Sequence, residues 1–278
     1  MFRQSILAAA FAAIASSAMA APLPLYSTGF ESGQGFAANV SVAGVNGWTV
    51  PTTPATVTAG TGAGSPATGQ FIQLGAGAVL ERAFTGTDAY KQIWVEGYFQ
   101  GRGSSVTLAN ANYETTGISV IVHFSETNGI EMENGNRNST VGTPVATGVA
   151  LGAANENRWY KITLRLNFAT ASWDLWVDNV KRNATALGFR DGTVTKLNGF
   201  KNLAQTASKF DEFRVVSAIS GDTNGDAVID AADVVEMIDL LAGAAPTDPI
   251  VLNNSDLDTN GSLTNADLVA LRGIIIGS

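Results

Sequence analysis

The sequence predicts a mainly β chain: a two-sheet antiparallel sandwich of the jelly-roll type, followed by a small α-helical domain. Three observations carry that expectation. Between about Leu25 and Ser217 the chain falls into short apolar runs of period two, punctuated by Gly, Asn, Thr and Ser, without a helical stripe. Composition then changes abruptly. From Gly221 onward there are ten Asp or Glu and a single base, Arg272, and no aromatic residue occurs after Phe213. Within that acidic tail one pattern recurs in register 34 residues later, and each copy is followed by apolar residues at helical spacing. The boundaries expected from these shifts are a leader over 1–20, the sandwich over 21–218 and the small domain over 219–278.

The leader comes first. Met1-Phe2-Arg3-Gln4 precedes an apolar run from Ile6 to Ile14, and Ala18-Met19-Ala20 stands before Ala21-Pro22. A basic start, a short hydrophobic stretch and a small-x-small site mark a secretory signal. The run is too short to span a bilayer, and no later segment is apolar enough to do so. The expectation is therefore a secreted or cell-surface protein without a transmembrane segment. There is no cysteine, so a small exported domain needs a staple other than a disulfide, and bound metal is one. The net charge of −8 is concentrated in the tail, which excludes a nucleic-acid partner, since that would require a basic face.

In the large domain, Ile118, Val120, Val122 and Phe124 alternate with Ser119, Ile121 and His123. Ile162, Leu164, Leu166 and Phe168 alternate with Lys161, Thr163, Arg165 and Asn167; Trp173, Leu175 and Val177 alternate with Asp174 and Trp176. Such runs are half-buried antiparallel strands. Ala169-Thr170-Ala171-Ser172 joins the last two into a hairpin, and Asp178-Asn179 turns the chain again. Trp176 points away from Trp173, Leu175 and Val177, which makes it the candidate ligand-binding aromatic, with an ordinary edge aromatic as the alternative. Trp48, Trp94 and Trp159 are expected in the core or at the sheet rim. The single histidine, His123, falls on the polar face and is expected to be exposed. Glu131 and Glu133 share a face, but Gly129, Asn134, Gly135 and Asn136 around them read as a loop.

The tail carries the strongest pattern. Asp222, Asn224, Asp226, Val228, Asp230 and Asp233 stand at positions 1, 3, 5, 7, 9 and 12 of one loop. Asp256, Asp258, Asn260, Ser262, Thr264 and Asp267 repeat them. Calcium takes six to eight oxygens, and an EF-hand-like loop supplies them from these positions, with a backbone carbonyl at position 7. The acid at position 12 falls in the first turn of the following helix, where its charge also suits the helix dipole. Ile229 and Leu263 at position 8 are placed to pair the loops. Val234, Val235, Ile238 and Leu241 form the first apolar stripe; Leu268, Leu271 and Ile275 form the second. Two calcium ions are expected. Position 6 is Gly261 in the second loop but Ala227 in the first, where glycine suits the sharp turn.

A loop with one exiting helix, given twice over Gly221 to Gly277, resembles the type I dockerin family. The resemblance implies calcium-dependent docking onto a cohesin-like protein within a polysaccharide-handling system. Positions 10 and 11, where the family often carries a hydroxyl pair for that contact, hold Ala231-Ala232 and Asn265-Ala266 here, followed by Ile238-Asp239 and Arg272-Gly273. In the large domain, Asn157-Arg158-Trp159-Tyr160-Lys161-Ile162 running into Trp173-Asp174-Leu175-Trp176-Val177-Asp178 resembles the laminin-G-like, concanavalin A-like fold. Gly29-Phe30-Glu31 and Phe210-Asp211-Glu212-Phe213-Arg214-Val215 look like its first and closing strands. The Glu-x-Asp-x-x-Glu string of concanavalin-like glycosidases is absent, so no catalytic residue is assigned. The expected function is recognition of a polysaccharide or extracellular glycan. The alternatives are a glycoside hydrolase or lyase of the same fold, and a structural surface protein.

A third calcium site is a candidate in the sandwich, between Glu31 and Asp211. Alternation from Phe213 and Val215 puts Asp211 on the inward side, where an unpaired carboxylate is costly. Glu31 meets it if the terminal strands are neighbours. The competing reading has each acid capping a turn or pairing with Arg214 or Lys209.

Overall fold

The computed structural model describes residues 25–52, 55–59, 69–101, 117–135, 143–151, 158–204, 206–217, 219–224, 228–243 and 248–277. The expected leader, 1–20, lies outside the described residues. The first strands are β1 (Tyr26–Thr28), β2 (Trp48–Thr49), β3 (Ala55–Ala59), β4 (Gln70–Leu74), β5 (Val79–Ala83) and β6 (Gln92–Gly101). They continue as β7 (Val122–Ser125), β8 (Gly129–Asn134), β9 (Thr143–Ala146), β10 (Trp159–Asn167) and β11 (Ser172–Val177). The last are β12 (Val180–Lys181), β13 (Leu187–Gly188), β14 (Gly199–Leu203) and β15 (Ser208–Ser217). Three helices follow: α1 (Ala231–Ala242), α2 (Pro249–Ser255) and α3 (Asn265–Ile276).

One layer is a nine-stranded sheet in the order β12-β11-β10-β6-β15-β4-β3, with β1 along β15 and β13 along β11. The other is divided into two three-stranded sheets, β14-β5-β2 and β7-β8-β9. The layers share one apolar core. Ile93, Val95, Ile162 and Leu175 of the large sheet are clustered there with Trp48 and Leu80 of one small sheet and Ile130 and Met132 of the other. The expected hairpin forms, with Asn167 opposite Ser172. Asp178 and Asn179 both take left-handed φ, 52° and 63°, between the paired Val177 and Val180. Two positive φ values match the right-handed strand twist, and Asp and Asn tolerate them.

Two readings of the β7–β8 region are corrected. Only Val122–Ser125 is strand, and His123 is 4% exposed rather than on a solvated face. Val122 and Phe124 are packed against the main core, so both faces of the segment are covered. Glu131 and Glu133 are buried within β8 rather than in a loop. Asn128 Nδ2 donates to Glu131 Oε1 at 2.9 Å, and Glu133 forms an ion pair with Arg190. The flanking glycines serve close packing. A Cβ on Gly129 would lie 1.9 Å from the Val149 carbonyl oxygen, and one on Gly135 would lie 2.2 Å from that of Phe189.

In the tail, α1 packs against α3, and among the described residues Met237 and Leu271 are its fully buried apolar side chains. Val235 and Ile238, assigned above to the buried stripe, are exposed. α2 was not expected, although its start is written in the sequence. Asp248 is its N-cap, accepting from Ile250 N at 2.8 Å, and Pro249 opens the first turn. The end of α2 is tied to the first loop, since Gly221 N donates to Asn254 O at 2.8 Å and Asn254 Nδ2 to Asp222 O at 3.0 Å.

Candidate functional site

Backbone amides organise the second loop around its acids. Asp256 Oδ1 accepts from Asn260 N at 3.1 Å and its Oδ2 from Gly261 N at 2.8 Å, which pulls positions 5 and 6 into a tight turn. Gly261 sits at φ 85°, the left-handed turn that favours glycine. Asp267 Oδ1 accepts from Leu257 N and Asp258 N at 2.9 and 3.2 Å, and its Oδ2 from Thr264 N at 2.8 Å. Burial opposes the charge on Asp267, but these donors outweigh it and hold its carboxyl below the usual carboxylate range. Asp256, Asp258 and Asp267 bring carboxylate oxygens within 4.8 Å of one another. Two calcium–oxygen bonds of about 2.3–2.6 Å bridge that span. An oxygen-only donor set of this compactness fits a hard divalent cation.

The first loop has the same wiring. Asp233 Oδ1 accepts from Thr223 N at 2.7 Å and Asn224 N at 3.1 Å, and Oδ2 from Asp230 N at 2.8 Å. Each donor is the counterpart, 34 positions earlier, of a donor to Asp267. The sequence repeat is thus a repeat of hydrogen bonds, with the position-12 carboxylate stitching positions 2, 3 and 9 together. Asp222 is buried, whereas Asp226 and Ala227 lie outside the described residues. Asp230 and Thr264 cap the exiting helices, accepting from Ala232 N at 2.7 Å and Ala266 N at 3.2 Å.

In the sandwich, β1 and β15 pair directly, with Thr28 opposite Phe213, so the terminal strands are neighbours. Glu31 Oε1 accepts from Gln70 N at 2.9 Å, and a Cβ on Gly69 would collide with that carboxylate. Simple alternation does not carry from Phe213 back to Asp211. The register shifts between Asp211 and Arg214, and Glu212 takes φ 47°. Phe210 and Phe213, three apart, both enter the core, and Asp211 stands opposite Tyr98. Asp211 is nonetheless 0% exposed. Its Oδ1 accepts from Glu212 N at 2.8 Å, while its buried Oδ2 has no hydrogen-bond partner. Burial, with the Glu212 and Glu31 carboxylates adding to it, pushes Asp211 up to about 7. Arg214 is engaged by Glu96 and Asp248 instead. Glu212 completes this acidic cluster; being next in sequence to Asp211, it is brought in by the bulge, which periodicity does not reveal.

Trp176 lies on the outer face of the large sheet, opposite Thr163 and half-buried, while Trp173, Leu175 and Val177 enter the core. Its ring is 5.1 Å from that of Trp94, with Arg165 and Lys181 5.9 and 5.6 Å from its centroid. Trp48, Trp94 and Trp159 are buried. Around Glu96 on the same face, Thr163 Oγ1 donates at 2.7 Å, and Lys161 Nζ and Arg214 Nε lie at 2.9 and 2.8 Å.

Together these features define a protein with an antiparallel sandwich and a helical module built on two carboxylate-lined loops. Residues 220–275 match the family model described as the dockerin type I domain, and the C-terminal module is such a domain. Type I dockerin domains bind calcium and engage cohesins, and dockerin proteins are extracellular cellulosome components. Among solved structures, the chain is similar to a botulinum neurotoxin type C (8% identity, TM-score 0.39, 59% of this chain and 43% of that one). It is also similar to a sialidase (10% identity, TM-score 0.45, 78% and 20%). A third likeness is to domain 4 of an extracellular arabinanase from Geobacillus stearothermophilus in complex with arabinotriose (11% identity, TM-score 0.34, 59% and 82%). This chain spans less than half the length of the neurotoxin and sialidase chains. Likenesses at this level carry no shared chemistry. No curated protein matches the chain. Among the described residues, no helix is long and apolar enough to cross a membrane.

Proposed function

We propose that this is an exported, calcium-binding, non-catalytic protein whose sandwich recognises a glycan and whose dockerin module docks it onto a cohesin-like partner. The observation that carries the reading is the type I dockerin domain over 220–275, attached to a sandwich with a paired-tryptophan outer face. Flat aromatics beside hydroxyl and charged groups suit a sugar ring and its hydroxyls. Export rests on the signal pattern of residues 1–20 and on the dockerin itself. The exposed Val235, Ile238, Val269, Ile274 and Ile276 on α1 and α3 supply an apolar surface for a partner. In this division 21–218 is the recognition domain and 219–278 the docking domain. A polysaccharide array on the full chain tests the reading, and Trp176→Ala is expected to weaken the best signal by about tenfold, the loss of one stacked ring. Release of sugar fragments in parallel digests would sink the non-catalytic part.

Three calcium ions follow from the same reading, held by the two loops and by Glu31 with Asp211. The unpartnered Asp211 Oδ2 beside two further carboxylates supports the third. Calcium supplies the positive charge that the buried Asp211 carboxylate lacks beside Glu31 and Glu212. Asp211→Asn separates the alternatives. With calcium it should lose one bound ion and melt several degrees lower, while in chelator it should melt higher, because a buried charge is gone. Unchanged stoichiometry by titration calorimetry rejects the site.

A further inference from the structure

The outer face of the large sheet is not open in this structure, because α2 of the dockerin module lies on it. At one end of α2, Asp248 Oδ2 is 3.2 Å from Lys161 Nζ and 3.0 Å from Arg214 Nη2. At the other, Asn253 Oδ1 accepts from Gln92 Nε2 and Arg165 Nη1, both at 3.4 Å. Lys161 and Arg214 flank Glu96, and Gln92 stands four residues before Glu96 on β6, so α2 is anchored on either side of Trp94. Trp94 alternates with the core residues Ile93 and Val95 and therefore faces outward, yet it is 1% exposed. Its indole Nε1 is buried without a hydrogen-bond partner. Pro249 and Ile250 are buried in the same helix.

Charge shows what the cover replaces. The sandwich brings two cations, Lys161 and Arg214, to one acid of its own, Glu96. Asp248, from the other module, is the second acid that neutralises them. Burial opposes ionisation of Asp248, but Lys161, the Ile250 amide and Arg214 outweigh it and hold the carboxyl below its ordinary range. With α2 lifted, the cluster around Glu96 offers one unneutralised cation, next to a free indole N–H and a pair of tryptophan rings. A sugar ring bearing a carboxylate satisfies all three. Resting on the glycan reading above, we propose that this face takes a uronate unit of an anionic polysaccharide. Asp248 occupies the uronate's carboxylate position when the dockerin module is docked, so the tail shields the binding face. The exchange forms and breaks no covalent bond. A tethered competitor acts at high effective concentration, so the shielded protein binds its polysaccharide weakly and a partner that draws the dockerin away uncovers it.

The test uses the full calcium-loaded chain, with polygalacturonate and a neutral glucan as probes. Asp248→Asn keeps an N-cap side chain and removes the charge. It is expected to tighten polygalacturonate binding about tenfold or more, by a clearly larger factor than glucan binding, and to increase acrylamide quenching of tryptophan fluorescence. Asn253→Ala loosens the other end of α2 with no change of charge and should act in the same direction. Hydrogen-exchange protection of α1 and α3 verifies that both variants remain folded. Glucan binding that persists while polygalacturonate binding ignores both variants overturns this inference and leaves the glycan reading standing. Absence of binding to either probe and across a polysaccharide array, in the wild type and both variants, overturns the two together.

Discussion

Removing calcium is expected to abolish hydrogen-exchange protection in α1 and α3 while β6, β10 and β15 stay protected. Among the described residues, the tail's most deeply buried apolar side chains are Met237, Leu271 and Ile250, worth about 1.5–3 kcal/mol each. Two helices of 12 residues each are marginal in water by themselves. Against them stand ten acids and one base from Gly221 onward, with Asp256, Asp258 and Asp267 gathered in one loop. Like charges so placed repel until a cation joins them, and calcium at a thousand times its dissociation constant adds about 4 kcal/mol per site. Asp233→Ala should fail even in saturating calcium, because it removes a ligand and also the acceptor of the Thr223, Asn224 and Asp230 amides. Retention of protection in α1 and α3 with excess chelator would sink the claim.

What the sequence disclosed depended on whether a contact is local. The loops were legible because their carboxylates and the amides that donate to them lie within a dozen consecutive residues, so the spacing carries the arrangement. The Asp178-Asn179 turn was legible for the same reason. The β7–β8 region was not, because the burial of His123, Glu131 and Glu133 depends on segments far along the chain, and the glycines around β8 answer to Val149 and Phe189. Alternation failed at Asp211 because a bulge adds one residue and resets the parity of every position before it. It also misassigned Val235 and Ile238, whose period is helical but whose side chains point away from Met237 and Leu271. Apolar residues at a docking surface and in a core share one period. The cluster around Glu96 was hidden most completely, since Lys161, Arg214 and Asp248 come from three distant stretches and two modules.

Trp48→Ala is expected to cost about 3–5 kcal/mol of stability, the range for deleting a large buried aromatic. Trp48 is 0% exposed and stands where the first and closing strands meet the small sheet opposite. Its ring is 5.5 Å from both Phe30 and Phe213, and 6.1 Å from Phe200. Phe30 packs in turn on Phe36 and Phe210, so the rings around Trp48 reach the segment that carries Glu31 and the strand that carries Asp211. The indole Nε1 donates to Tyr26 Oη at 2.8 Å, and the Arg82 guanidinium lies 3.5 Å above the Tyr26 ring. Truncation opens a cavity among these rings and deprives Tyr26 of its donor, and both effects act on the pairing of β1 with β15. Trp48→Phe fills most of the volume and loses mainly the hydrogen bond, about 1 kcal/mol plus the smaller ring. Urea unfolding of the calcium-loaded chain, followed by far-ultraviolet circular dichroism, reads both values. The alanine variant should also weaken the calcium site proposed for the sandwich, because Glu31 and Asp211 keep their separation only while the two terminal strands stay paired. A loss below about 1.5 kcal/mol, the level of a volume-conserving core swap, would show that Trp48 does not hold the two layers together.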